Sequence, residues 1–202
     1  MRYGIFGGTF NPVHEGHLHI ARAFRKAMGL DTVLWIPTKV PPHKEAEELA
    51  LPEQRLEMCR LACRGEEGFQ VSGLEIRRGG KSYTADTLEE LHRMYPGDTF
   101  CLLMGEDMLL TLLNWYKPET ILRLAEICAA PRSVGHEARL EECARALREK
   151  GAVVFLERIP YLPISSTEIR KAVREGRSIR GKVPAAVEEY IRSYGLYTKG
   201  EA

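Results

Sequence analysis

Long apolar runs are missing from this chain of 202 residues, cysteine and tryptophan are sparse, and neither sign of charge prevails. No hydrophobic stretch approaches the roughly 20 residues that span a bilayer as a helix, so no membrane segment is expected. The five cysteines are odd in number, scattered among apolar stretches and preceded by no secretory signal. They argue for reduced thiols and a cytoplasmic location rather than a disulfide framework. Cys59 and Cys63, four apart on an expected helix, read as small buried hydrophobes rather than metal ligands. A formal net charge of +1 gives no general attraction to nucleic acid or anionic lipid, so any polyanion must be held by local groups. The run IRKAVREGRSIRGK (169–182) is locally basic but contains no aromatic residue on which a base could stack, and reads as a solvated face. Two common phosphate motifs are also missing. The glycines at 4, 7 and 8 lack the GxGxxG spacing, and no lysine stands behind them where a P-loop needs GK followed by Ser or Thr.

What is present points to one sizeable core. With 44% hydrophobic and 28% charged residues, the length suits a single domain over 1–202, whose last part, 164–202, forms a small helical subdomain. Apolar runs at YGIF (3–6), VLWIP (33–37), FQVSGLEIRR (69–78), TFCLLMG (99–105), EICAAPR (126–132) and AVVFLER (152–158) read as strands. Between them lie helical patterns. Leu18, Ala21, Phe24 and Met28 share one face before Gly29, and PEQRLEMCRLACR (52–64) turns Leu56, Cys59 and Cys63 inward. YTADTLEELHRMY (83–95), a short stretch around Trp115 and HEARLEECARALREKG (136–151) continue the alternation, and two helices, 165–176 and 184–195, close the chain. Alternating strands and helices predict an α/β fold: a Rossmann-like doubly wound parallel sheet with helices on both faces, binding its ligand beyond the carboxyl ends of the strands.

The stretch GGTFNPVHEGHLHIA (7–21) lies at that edge. Gly7 and Gly8 allow backbone to approach a ligand, Thr9 offers a hydroxyl, and the following helix favours an anion at its N-terminus. His14 and His17, three apart, lack the i, i+4 spacing of HExxH, and no neighbouring residue completes a metal shell. Two readings remain open from this motif alone: a phosphate cradle, or a strand-to-helix turn whose histidines are merely packed. PISSTEIRKA (163–172) carries a capping-box spacing from Ser165 to Glu168, and its Ser165, Ser166, Thr167 and Arg170 could hold a second anionic group. Two anion sites suit one long anion. WYKP (115–118) reads equally as a core aromatic ahead of a helix with Pro118 in its first turn.

With GGTFNPVHEGHL at one end and ISSTEIR at the other, the sequence resembles the HxGH nucleotidyltransferases of the class I synthetase-like α/β superfamily. VPPHK (40–44), SYTADTL (82–88) and GEDMLLTLLNWYKPETIL (105–122) resemble the bacterial nicotinate-nucleotide adenylyltransferases over nearly the whole chain. The resemblance implies an enzyme joining nicotinate mononucleotide to the AMP part of ATP by direct attack, with Mg2+ on the phosphates and no metal held mainly by protein side chains. By position it puts Gly7, Gly8, Thr9 and Phe10 around the central phosphates, and His14 and His17 on the ATP phosphates. Gly105 and Asp107 would hold the ATP ribose, Ile164 to Thr167 (Ile164, Ser165, Ser166, Thr167) the adenine and outer phosphates, and Arg170 the leaving group. The catalytic set would be His14, His17 and Arg170. On the acceptor side it implies Thr9, Thr84 and the backbone at Tyr116, with Trp115 as stacking face and Lys39, His43 and Lys44 near the acceptor phosphate. Asn11 stands where Asp is frequent in GGTFDP, which removes a charge beside the phosphates. The partners implied are small molecules, with no nucleic acid and no membrane, and a homo-oligomer is left open. Other acceptors, nicotinamide mononucleotide or phosphopantetheine, are the alternatives, followed by a nucleotide-binding or RNA-binding protein without turnover.

Overall fold

Gly4 sits where no side chain fits. In β1 (Arg2–Gly8), a Cβ at this position would lie 2.7 Å from Leu30 Cδ1 and 2.9 Å from Leu103 Cδ1, so the central strand is built around a missing side chain. Gly4→Ala therefore overpacks the core and lowers stability by about 1–3 kcal/mol. Thermal unfolding reads this as a lower Tm, with the turnover of the folded protein unchanged.

The computed structural model describes residues 1–40, 49–131 and 135–198. After β1 the chain forms α1 (Glu15–Ala27), β2 (Thr32–Pro37), α2 (Pro52–Cys63), β3 (Phe69–Val71), α3 (Leu74–Arg78), α4 (Thr84–Met94) and β4 (Thr99–Gly105). It continues through α5 (Glu106–Thr111), a 3-10 turn (Leu112–Asn114), α6 (Pro118–Leu124), β5 (Glu126–Ala130), α7 (Glu137–Glu149) and β6 (Val154–Leu156), and ends in α8 (Ser166–Arg174) and α9 (Ala185–Ser193). The strands form one sheet in the order β3-β2-β1-β4-β5-β6, and every pairing is parallel. The chain starts in the middle, winds to one edge and crosses back, so β1 and β4 flank the point where the winding reverses and a crevice opens at their carboxyl ends.

Alternation along the strands feeds two cores. Phe6, Val33, Trp35, Cys101, Leu103 and Cys128 pack with buried residues of α1, α2, α8 and α9, while Ile5, Leu34, Ile36, Leu102, Met104 and Ile127 pack with those of α3 to α7. The fold is the expected doubly wound α/β sheet with helices on both faces. Cys59 and Cys63 are buried in the first core and, like the other three cysteines, are free. Burial raises both thiols, Cys63 to about 12, consistent with packing rather than reactivity.

Two expectations need correction. The strand reading of 69–78 holds only for Phe69–Val71, and Leu74–Arg78 is helix. Ser72 Oγ accepts the Leu74 amide at 3.3 Å, and Gly79, at φ 78°, ends the helix, so local turn chemistry overrides the apolar run. In α2 the buried face carries Arg55, Met58, Cys59, Ala62 and Cys63, whereas Leu56 is only half-buried. A charged residue takes a place that periodicity assigns to an apolar one.

Candidate active site

The cradle begins where β1 stops. A Cβ on Gly8 would lie 2.9 Å from Phe10 Cζ, so the glycine lets the loop fold back over the phenyl ring. Phe10 itself adopts φ 47° and is buried, its ring 5.3 Å from that of Trp35 and 5.1 Å from that of His17. A left-handed backbone is costly for a bulky residue and marks a loop shaped by its surroundings. Three carbonyls of this loop are taken by protein donors: Thr9 O accepts from Arg55 Nη1 (2.7 Å), Asn11 O from Arg170 Nη1 (2.8 Å) and Pro12 O from Ser166 Oγ (2.9 Å). Asn11 is buried, and its Oδ1 accepts the Ala50 amide (3.1 Å) and the Tyr197 hydroxyl (2.7 Å).

His14 is the N-cap of α1 and His17 lies in its first turn. Their rings stack with centroids 3.6 Å apart, and the His14 amide donates to His17 Nδ1 at 3.2 Å. That bond makes His17 Nδ1 the acceptor, which puts its proton on Nε2. Gly16 is required between them, since a Cβ there would lie 3.0 Å from His14 Nδ1 and 3.5 Å from Ile164 O. Desolvation lowers His14 to about 4, and desolvation followed by the neighbouring His14 lowers His17 well below its ordinary 6.5. Both imidazoles are therefore neutral donors at pH 7, and His14 Nδ1 is buried without a hydrogen-bond partner among the described residues.

This has a consequence for stability. Between pH 6.5 and about 4 the unfolded chain protonates at His14 while the folded one does not, so the unfolded state binds more protons and stability falls as pH falls through that window. His14 alone accounts for up to about 3 kcal/mol, fully present above its unfolded value and lost toward pH 4. Denaturant unfolding at stepped pH should show this fall, and His14→Asn should make it shallower. An equal slope in the variant would mean that His14 is already charged in the fold.

A second helix N-terminus meets the first. Ser165 caps α8, its Oγ accepting the Glu168 amide at 3.2 Å, as its spacing in the sequence suggests. Ser166 and Arg170 reach across to the loop of residues 9–12, while Thr167 is exposed and Ile164 places its carbonyl beside Gly16. Arg170 Nε is buried with no partner among the described residues. Gly7 and Gly8 end β1, Thr9 begins the loop, and Gly105 ends β4 as the N-cap of α5, with exposed Asp107 in the first turn. Glu106 beside it is buried and bonded to His136 Nδ1 at 2.8 Å.

The residues expected on the acceptor side lie at the neighbouring edge. Val40 bridges Lys81, and the Lys39 amide donates to Ser82 Oγ at 2.9 Å, which sets Lys39 beside the start of α4, where half-buried Thr84 is the first residue. Tyr83 packs against Tyr116, their ring centroids 4.5 Å apart and the planes tilted by 35°, and Trp115 is half-buried with Nε1 on Thr111 Oγ1 at 3.3 Å. Lys117, at φ 50°, turns the chain into α6 with its ammonium 5.1 Å from the Tyr116 ring. His43 and Lys44 lie outside the described residues. Sequence reasoning missed three supports: Arg55, Tyr197 and the pair Glu75–Thr87. Thr87 Oγ1 donates to buried Glu75 at 2.7 Å and so joins α3 to α4 below Thr84; burial raises the Glu75 carboxyl.

The cytidylyltransferase-like family model matches residues 5–172, from the cradle strand to α8. The chain belongs to this family. Within it, the chain is 40% identical over its whole length to a protein of Thermomicrobium roseum named "Probable nicotinate-nucleotide adenylyltransferase", covering 94% of that relative. It is 43% identical to one of the same name from Geobacter metallireducens, covering 98% of this chain and 99% of the relative. These full-length matches make the chain a member of the nicotinate-nucleotide adenylyltransferase family. Its fold is that of the nicotinic acid mononucleotide adenylyltransferase of Plasmodium falciparum complexed with NaAD, with a TM-score of 0.77, 18% identity and 97% of each chain covered. Family membership places the cradle, both histidines, Asp107 and Arg170 inside the matched segment, whereas Tyr197 lies beyond it.

Proposed function

We propose that this chain transfers the AMP part of ATP to nicotinate mononucleotide, giving deamido-NAD and pyrophosphate. The observation that carries the reading is the meeting of two helix N-termini, α1 and α8, at the carboxyl edge of the sheet, joined through Arg170 to Asn11 and Ser166 to Pro12. Such a pair suits a triphosphate, whose reacting phosphorus lies over the first and whose leaving end lies toward the second. A phosphate oxygen of the acceptor attacks the α-phosphorus, the bond from it to the bridging oxygen breaks, and pyrophosphate leaves. The nucleophile is already an anion, so no general base is needed; catalysis lies in placing two anions together and stabilising charge on the leaving group. His17 Nε2–H and His14 donate to phosphate oxygens, and Arg170 faces the pyrophosphate. Gly105 and Asp107 hold the ribose, and Ile164, Ser165 and Thr167 the adenine and outer phosphates.

Thr84, the Tyr116 backbone and Trp115 receive the pyridine ring and its carboxylate, and Lys39, His43 and Lys44 the acceptor phosphate. The cradle's donors are amides, imidazoles and a guanidinium, which fit phosphate oxygens rather than a cation. Mg2+ is accordingly assigned to the ATP phosphates, where it neutralises charge. The five free cysteines suit a reducing compartment, and the cytoplasm is the proposed location of this single domain.

Acceptor choice tests the reading. With MgATP, pyrophosphate release should be fastest with nicotinate mononucleotide, because a carboxylate makes a charge-assisted bond that an amide cannot. A preference for nicotinamide mononucleotide or phosphopantetheine would keep the cradle and overturn the roles of Thr84 and Trp115.

A further inference from the structure

Arg55 is fully buried in α2, yet no carboxylate among the described residues pairs with it. Its planar fork is spent on backbone carbonyls: Nη1 on Thr9 (2.7 Å), Nη2 on Lys39 (3.1 Å) and Nε on Ala50 (3.0 Å). Thr9 belongs to the donor cradle, Lys39 follows β2 on the acceptor side, and Ala50 leads into α2. Desolvation lowers the guanidinium's pKa, but arginine stays charged. Burying an unpaired cation is costly, and an apolar residue would fill this position of α2 more cheaply if packing were its whole purpose.

A second donor reaches the same loop from the far end of the chain. Tyr197 holds φ 61°, and its hydroxyl donates to Asn11 Oδ1 at 2.7 Å, beside the Ala50 amide on the same oxygen. Burial raises the phenol's pKa, so it stays a donor across the neutral range.

We propose that Arg55, braced by Tyr197 through Asn11, is the positioning residue that holds the ATP cradle and the acceptor-phosphate side at the separation that transfer requires. It touches neither substrate. A rigid fork sets the distance between Thr9 and Lys39, which an ammonium on a flexible stem cannot do. The inference rests on the reading of the site as a meeting place of two phosphates.

Arg55→Lys and Tyr197→Phe test it, with kcat and KM for both substrates, ATP affinity by calorimetry, and Tm. A displacement of reacting groups by about 1 Å can cost roughly 10²-fold. Arg55→Lys should lower kcat by about 10–100-fold and Tyr197→Phe by a smaller factor, with ATP affinity nearly unchanged in both. Wild-type kcat in both variants with only a lower Tm would overturn the inference, as would weaker ATP binding at unchanged kcat. Should Arg55→Lys fail to fold, Tyr197→Phe, which removes one hydroxyl, decides alone: a lower kcat at unchanged ATP affinity supports the inference, and wild-type kcat overturns it. If the wild type itself makes no deamido-NAD, the functional reading falls and this inference with it; if the wild type turns over and the variants match it, the inference alone fails.

Discussion

His17→Ala is expected to lower kcat by about 10²–10³, equivalent to roughly 3–4 kcal/mol of lost transition-state stabilisation. The size follows from what the side chain is in this fold. The His14 amide occupies Nδ1 at 3.2 Å, which leaves Nε2–H as the single donor of a ring that cannot turn without breaking that bond. The ring is also backed by Phe10 at 5.1 Å and stacked on His14 at 3.6 Å. A donor held this firmly needs little reorganisation as charge builds on the phosphate it faces. Because both imidazoles are neutral at pH 7, the loss is that of a directed N–H rather than of a cation. It should therefore change little with salt, and kcat/KM for ATP should show no inflection near pH 6.5 from this pair. Rapid-quench or coupled pyrophosphate assays with His17→Ala, checked for native circular dichroism, give the test. A loss under about threefold would remove His17 from the reacting phosphates.

Arg170→Ala is expected to cost a similar factor, about 10²–10³ in kcat/KM for ATP, for two reasons that add. The substitution removes the guanidinium proposed to face the pyrophosphate, and it leaves Asn11 O, held at 2.8 Å, without this donor. Arg170→Lys should recover only part of the loss, because a point charge cannot both hold Asn11 O and present a second donor in the plane of a phosphate. Steady-state kinetics against ATP settles this. Full activity in Arg170→Lys would reduce the residue to a charge, and full activity in Arg170→Ala would mean that α8 is only a structural neighbour of the cradle.

The sheet was legible because buried parallel strands are apolar on both faces. VLWIP and TFCLLMG lie in neighbouring strands of β1, all six residues of β2 being buried. The cradle was legible because glycine and histidine at 7, 8, 14, 16 and 17 are unusual company at a helix start, and Ser165 because a cap has a local spacing. What stayed hidden is non-local. Arg55 contacts Thr9, 46 positions away, and Tyr197 contacts Asn11, 186 positions away, and no local pattern encodes either. A faint signal did exist for Arg55, which shares the helix face of Met58, Cys59 and Ala62, an odd place for a charge. Turn chemistry at Ser72 and Gly79 hid α3 within an apolar run. The tilted ring contact of Tyr83 with Tyr116 joins two motifs that a linear reading keeps 33 positions apart.

The most direct measurement is product formation by the purified protein from MgATP and nicotinate mononucleotide, with deamido-NAD and pyrophosphate quantified together and His17→Ala run beside it. Equal amounts of the two products, fallen by about 10²–10³ in rate in the variant, are the predicted result. AMP in place of the dinucleotide, or a variant as fast as the wild type, would contradict the account of residues 7–17 as the cradle in which two phosphates react.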